Sequence, residues 1–231
     1  MSGAHSWRSI ISNINNFCAV IFDLDGTLLD TIDDLADSMN KALSDQGFPI
    51  HDTEFYKKTV GDGLPKLVAR VLPEAHRDEN TIMRCITDME AEYQKRWNRK
   101  TQPYDGILEL LDALDKRDVR MNVLSNKLEK YTQIAIDFYF PQFSFEYTMG
   151  ASPSIPRKPD PACALLIATK LSIIPQHFVF LGDTNTDMKT AVAAGMFPVG
   201  ALWGFRSKNE LEESGAEAVI SHPLDLLEYF D

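Results

Sequence analysis

A chain of 231 residues, 44% hydrophobic and 25% charged, carries enough apolar material for a sizeable core, which excludes disorder and leaves room for one large domain or a main domain with a smaller one. Its formal net charge of -11 repels nucleic acid and anionic membrane surfaces, so an anionic ligand has to be met by a local cation. Cys18, Cys85 and Cys163 lack the spacing of a disulfide framework or zinc site. No run approaches the ~20 apolar residues of a membrane span, and polar Met1 to Asn16 lacks a signal-peptide core; the expectation is a cytoplasmic protein.

In chain order, Cys18 to Phe22 is a short apolar run that predicts a strand buried on both faces, stopping at an acidic turn. Thr31 to about Asn98 then shows helical periodicity and no strand. Leu35, Met39, Ala42 and Leu43 share one face of a helix ending near Gly47, and further helices are predicted over His51 to Thr59, Leu64 to Leu72 and Glu79 to Trp97. Alternation resumes near Pro103-Tyr104, with a helix over Gly106 to Lys116 and a strand over Val119 to Leu124 that ends at Ser125-Asn126. A helix over Pro161 to Leu171 follows, then strands over His177 to Leu181, ending at Gly182-Asp183, and Pro198 to Leu202, ending at Trp203-Gly204. Strands alternating with helices predict an α/β fold, a doubly wound Rossmann-like parallel sheet whose function gathers at the carboxyl ends of its strands. The core is expected over 17–30 and 100–231, with an inserted α-helical domain over 31–99.

The polar turns at those strand ends hold the chemistry. In Asp23-Leu24-Asp25-Gly26-Thr27-Leu28-Leu29-Asp30, a turn opened by Gly26 lets Asp23 lead as nucleophile while Asp25 stands beside it to move protons. The same string also reads as an Asx turn opening a helix. Ser125 offers a hydroxyl at a strand end, or a plain helix cap. Lys158-Pro159-Asp160-Pro161 offers a point charge before a helix, or a surface turn; Gly182-Asp183-Thr184-Asn185-Thr186-Asp187 offers hard oxygen ligands, or a helix start enriched in acids.

Their order and spacing resemble the haloacid dehalogenase superfamily, whose first motif reads Asp-x-Asp-x-Thr after the first strand. The likeness extends from Cys18 to Phe230. Asp187-Met188, Ala191, Ala194-Gly195-Met196, Trp203-Gly204-Phe205 and Ala218 to Pro223 are similar to its phosphoglycolate phosphatase branch, which carries a small helical cap where residues 31–99 lie.

The resemblance implies a Mg²⁺-dependent phosphatase acting on a small phosphorylated metabolite through a phospho-aspartate on Asp23. Asp25 would be the general acid/base, and Ser125 and Lys158 would hold transferring charge. Asp23, Asp25, Asp183 and Asp187 are the implied metal ligands, Asp187 directly or through water. Thr27, Asn126 and the cap loop Gly61, Asp62, Gly63 are the implied substrate contacts, although Val60 to Leu64 also reads as a plain helix-helix turn. Phosphoglycolate leads as substrate, ahead of pyrophosphate, nucleoside monophosphates and sugar phosphates. A phosphomutase and a non-enzymatic binding protein remain as rivals, whereas a dehalogenase would have no use for Asp25. No nucleic-acid, membrane or protein partner is implied, and oligomeric state is open.

Overall fold

The computed structural model describes residues 17–153 and 155–230, so the expectation for Met1 to Asn16 lies outside the described residues. Strand β1 (Ala19–Phe22) is fully buried and lies in the middle of a six-stranded sheet. Its neighbours are β4 (Arg120–Leu128) on one side and β6 (Phe178–Gly182) on the other, both parallel to it. A strand covered on both faces must be apolar at every position, which is why its sequence is an unbroken Ala-Val-Ile-Phe. Alternate side chains serve opposite layers. Val20 and Phe22 pack with Ile107, Leu110, Leu111 and Leu114, while Ala19 and Ile21 pack with Ala164, Ile167, Ala168 and Ala191. At about 1.5–3 kcal/mol for each fully buried large apolar side chain, these two layers dominate the stability of the sheet.

The sheet order is β5-β4-β1-β6-β7-β8, with β5 at Tyr147–Ala151, β7 at Phe197–Ala201 and β8 at Ala218–Ile220. From β1 the chain builds outward through β4 to β5, then returns to the other side of β1 for β6. The order reverses at β1, and a crevice opens outside the carboxyl end of a strand at such a point. Asp23 is the next residue.

Between β1 and β4 the chain leaves through β2 (Leu29–Asp30) and returns through β3 (Gln102–Pro103), which pair antiparallel. Between them stand α1 (Ile32–Asp45), α2 (Thr53–Thr59), α3 (Leu64–Val71) and α4 (Glu79–Arg96). They bury Met39, Leu43, Tyr56, Val68 and Cys85 in a cluster of their own. Asp52 and Asp78 start α2 and α4 by accepting hydrogen bonds from Phe55 N and Thr81 N. Buried Asp34 staples exit to return, since its Oδ2 accepts from the Lys100 and Thr101 amides at 2.9 Å each and from Thr101 Oγ1 at 2.8 Å.

The remaining helices are α5 (Ile107–Asp115), α6 (Glu129–Tyr139), α7 (Ala162–Leu171), α8 (Asn185–Ala194) and α9 (Lys208–Glu213). Periodicity does not single out α6, α9, β5 or β8. Strands β5 and β8 lie at the sheet edges; half-burial leaves β5 without a continuous apolar run, and β8 is only three residues long. Among the described residues no helix is long and apolar enough to cross a membrane.

Candidate active site

The parallel register of β1 and β6 pairs Phe22 with Leu181, and the Asp23 amide continues the ladder to Leu181 O at 2.9 Å. Asp23 and Asp183 therefore leave adjacent strands side by side. Asp187 sits at the start of α8, where Thr184 and Asp187 form a reciprocal capping box. The Asp187 Oδ2 accepts from Thr184 Oγ1 at 2.6 Å and from its amide at 3.0 Å. One oxygen each of Asp23, Asp183 and Asp187 lies within 4.8 Å of the others, and all three residues are buried.

Lys158, carried in on the loop before α7, enters this group with its Nζ 2.8 Å from Asp23 Oδ1 and 2.6 Å from Asp187 Oδ1. Burial works against its charge, yet Asp187 and Asp23 hold it above the ordinary lysine range. One ammonium does not balance three carboxylates. Burial and the neighbouring Asp187 push Asp23 up to about 7 against the pull of Lys158. Burial, Asp187 and Asp23 also raise Asp183 well above the usual carboxylate range, although the Phe205 amide at 2.8 Å and Thr27 Oγ1 at 3.1 Å donate to it. An oxygen-only donor set with a buried excess of negative charge fits a hard divalent cation. Asp23 has the freer oxygens; both oxygens of Asp183 and both of Asp187 already hold donors.

Two glycines let the backbone close on Asp183. Gly26 has φ +90°, and a side chain there would run into the Asp183 carboxylate and the Phe205 ring; a side chain at Gly204 would overlap Asp183 Cβ.

Asp25 faces elsewhere. Its two oxygens take the Lys127 ammonium at 2.8 and 3.1 Å, and Lys127 donates onward to the Tyr93 hydroxyl of α4 at 2.7 Å. Burial opposes the Lys127 charge, and Asp25 and Tyr93 outweigh it, raising the lysine. Two further ties cross to the helical insert. Asn126 Nδ2 donates to Gly61 O at 2.9 Å and to Lys158 O at 3.0 Å, and Arg206 donates to the carbonyls of Lys57 and Val60.

Between sheet end and insert lies a cavity of about 100 Å³, with Asp23, Asp25 and Ser125 on the core side and Leu35, Leu67 and Met89 on the other. Gly61 and Gly63 line it as anticipated. Four of the expected site residues are placed differently from the rest. Asp25 stands outside the carboxylate trio because Lys127 holds it. Thr27 is fully buried and turned to Asp183 instead of the cavity. Asp62 points away, paired with Arg70 and accepting from Thr186 Oγ1 at 3.3 Å. Asn126 reaches the cavity, but both amide hydrogens are spent on carbonyls. Conversely, Lys127, Tyr93 and the Phe205 amide escaped the sequence reading. Lys127 stood in the Ser125-Asn126-Lys127 string, and only its pairing with Asp25 marks it; Tyr93 follows Cys85 and Met89 on the buried face of α4 and reads as core.

A family model for haloacid dehalogenase-like hydrolases matches residues 20–201. The chain belongs to that family. It is 32% identical over 206 residues to a phosphoglycolate phosphatase of Pseudomonas savastanoi pv. phaseolicola, covering 87% of this chain and 75% of the relative. A phosphoglycolate phosphatase of Aquifex aeolicus is 28% identical, with 92% and 96% covered. A crystal structure from Lactobacillus delbrueckii subsp. bulgaricus, provisionally named for the same activity, superposes with a TM-score of 0.87 at 29% identity, covering 93% of this chain and 98% of that one. Within the family, the chain is an enzyme of the phosphatase kind.

Proposed function

We propose that this phosphatase hydrolyses phosphoglycolate with Mg²⁺, through a phospho-aspartate on Asp23, while residues 31–99 act as a cap. The observation that carries the reading is Asp23 itself: a buried carboxylate at the end of the switch-point strand, ion-paired to Lys158 and open to the cavity beneath the insert. Asp23 and Asp183 would hold the cation, Asp187 backing them from its place between Thr184 and Lys158. When bound, Mg²⁺ supplies positive charge that lets Asp23 and a phosphate dianion approach each other.

In the first half-reaction an Asp23 oxygen attacks phosphorus, the bond from phosphorus to the leaving oxygen breaks, and Asp25 gives that oxygen its proton. Asp25 then takes a proton from water, whose oxygen attacks the phospho-aspartate; phosphate leaves and the Asp23 carboxylate returns. Lys158 offsets the charge gathered on the phosphoryl oxygens. Ser125 Oγ accepts from the Lys127 amide at 3.2 Å, which leaves its hydroxyl hydrogen for a phosphoryl oxygen. The printed activity of the relatives supports phosphoglycolate as substrate. A cytoplasmic setting belongs to the same reading, supported by three free cysteines.

The test is phosphate release from phosphoglycolate, pyrophosphate, nucleoside monophosphates and hexose phosphates, with Mg²⁺ and with a chelator. A Mg²⁺-dependent preference for phosphoglycolate is the expected outcome. Preference for another ester would keep the Asp23 chemistry and replace the substrate; release untouched by chelator would remove the metal.

A further inference from the structure

A carboxylated substrate needs a cation near its leaving group, and the helical insert offers none to the cavity. Arg70 is spent on Asp62, and Arg96 is paired with Glu92 at 3.2 Å. On the core side, Lys127 is committed to Asp25 and Tyr93, Lys158 to Asp23 and Asp187, and Arg206 to two carbonyls and Glu210. Arg157 is different. It lines the cavity half-buried, and among the described residues its guanidinium has neither a hydrogen-bond nor an ion-pair partner. It lies across the Gly63 backbone, where even a methyl group would come within 3.1 Å of Nη1, so the loop of the insert leaves room for the guanidinium at the cavity wall.

We propose that Arg157 is the receptor for a carboxylate on the leaving group, and that the substrates are therefore small phosphomonoesters carrying a carboxylate within a few atoms of phosphorus. The assignment rests on the phosphatase reading above and names the residue that selects within it. A partly desolvated guanidinium without a counter-charge is costly, and a carboxylate matches its planar fork with two parallel hydrogen bonds. The other charged wall, Glu90, is drawn toward Lys130 at 3.5 Å. Size and polarity point the same way. At about 100 Å³ the cavity is well below the roughly 300–1,000 Å³ that houses drug-sized ligands. Leu35, Leu64, Leu67 and Met89 offer no partners for the hydroxyls of a sugar, which would lose water without replacement.

The experiment compares phosphoglycolate with 2-hydroxyethyl phosphate, which replaces the carboxylate by a neutral alcohol. The unaltered protein is expected to prefer phosphoglycolate in kcat/KM, and Arg157→Ala to shrink that preference about 10- to 100-fold, mostly through KM, as loss of a charged hydrogen-bonded pair does. Arg157→Lys should restore part of it. In parallel, calorimetric binding of both esters to an Asp23→Asn protein, with and without Arg157→Ala, reads the same preference without turnover. An unchanged preference in both assays overturns the assignment, as does failure of both esters to bind. If the unaltered protein releases no phosphate from either ester, the phosphoglycolate reading fails, and the binding comparison still decides Arg157.

Discussion

The sheet end and the helical insert meet at one cavity and are built on opposite plans. On the sheet side every charge but that of Arg157 has a partner among the described residues: Asp183 is held by Thr27 and Phe205, Asp187 by Thr184 and Lys158, Asp25 by Lys127. On the insert side the walls are mostly apolar, with Leu35, Leu64, Leu67 and Met89 beside Glu90 and Tyr93, and hydrogen bonds such as Lys127 to Tyr93 and Asn126 to Gly61 join them to the core. Charge that must neutralise a phosphoryl group has to be fixed in advance, because reorganisation during reaction costs barrier height. Walls that admit and release a substrate need only shape, and few polar ties let them move. Chemistry thus rests on charges fixed at the sheet end, while the insert contributes apolar walls that shape what reaches Arg157.

The contrast can be broken most directly at Asp23. Asp23→Asn should reduce phosphate release by at least about 10⁴-fold, as loss of a covalent nucleophile does, while the circular-dichroism spectrum stays native; appreciable residual turnover would end the nucleophile assignment. Next in size, Lys158→Ala leaves Asp23 and Asp187 buried without their shared cation. It should lower stability by about 3–5 kcal/mol in urea titrations run with chelator. A variant as stable as the parent would mean that the trio is protonated or hydrated instead of ion-paired.

The insert should answer more softly. Tyr93→Phe removes the hydroxyl that meets Lys127 and should slow turnover by no more than about 100-fold, the upper worth of one hydrogen bond to a charged group. A loss matching that of Asp23→Asn would transfer chemistry to the insert and dissolve the division of labour.

The smallest effect is a pH slope. Asp23, near 7 in the folded chain, keeps a proton that the unfolded chain has already lost above the ordinary carboxylate range. The folded state therefore binds more protons across that window, and its stability without metal should fall as pH rises toward 7 and then level off. Melting temperatures with chelator from pH 5 to 8 should show this decline relative to Asp23→Asn. Mg²⁺ should flatten it, because cation binding favours the ionised carboxylates. Parallel curves for the two proteins would show that Asp23 is not the titrating group.

Much of this was legible before any coordinates. Strands β1, β4, β6 and β7 announce themselves because both-face burial demands contiguous apolar residues, and three of these runs stop at Asp23, Ser125 and Asp183, whose order along the chain counts for more than any one of them. Asp23, Ser125 and Asp183 became candidates that way. What sequence withholds is the direction in which a side chain turns. Thr27 and Asp62 stand at the anticipated places in the chain but face Asp183 and Arg70. Lys127 and Tyr93 are 34 residues apart and meet only because α4 packs over the sheet end. Edge strand β5 was invisible for a related reason: with one side uncovered, Tyr147-Thr148-Met149-Gly150-Ala151 needs no apolar run.

Gly26 and Gly204, which close on Asp183 from two loops, also bear on how such a chain can diverge. Any side chain at either position collides with the residue that anchors the site, so descendants that alter them lose the fold of the centre before they gain anything. Leu35, Leu64 and Arg157 line the same cavity only partly buried and touch no such bottleneck, whereas Leu67 and Met89 belong to the insert's own core. Substitutions that change what the cavity accepts are therefore tolerated at its partly buried wall and not at Gly26 or Gly204.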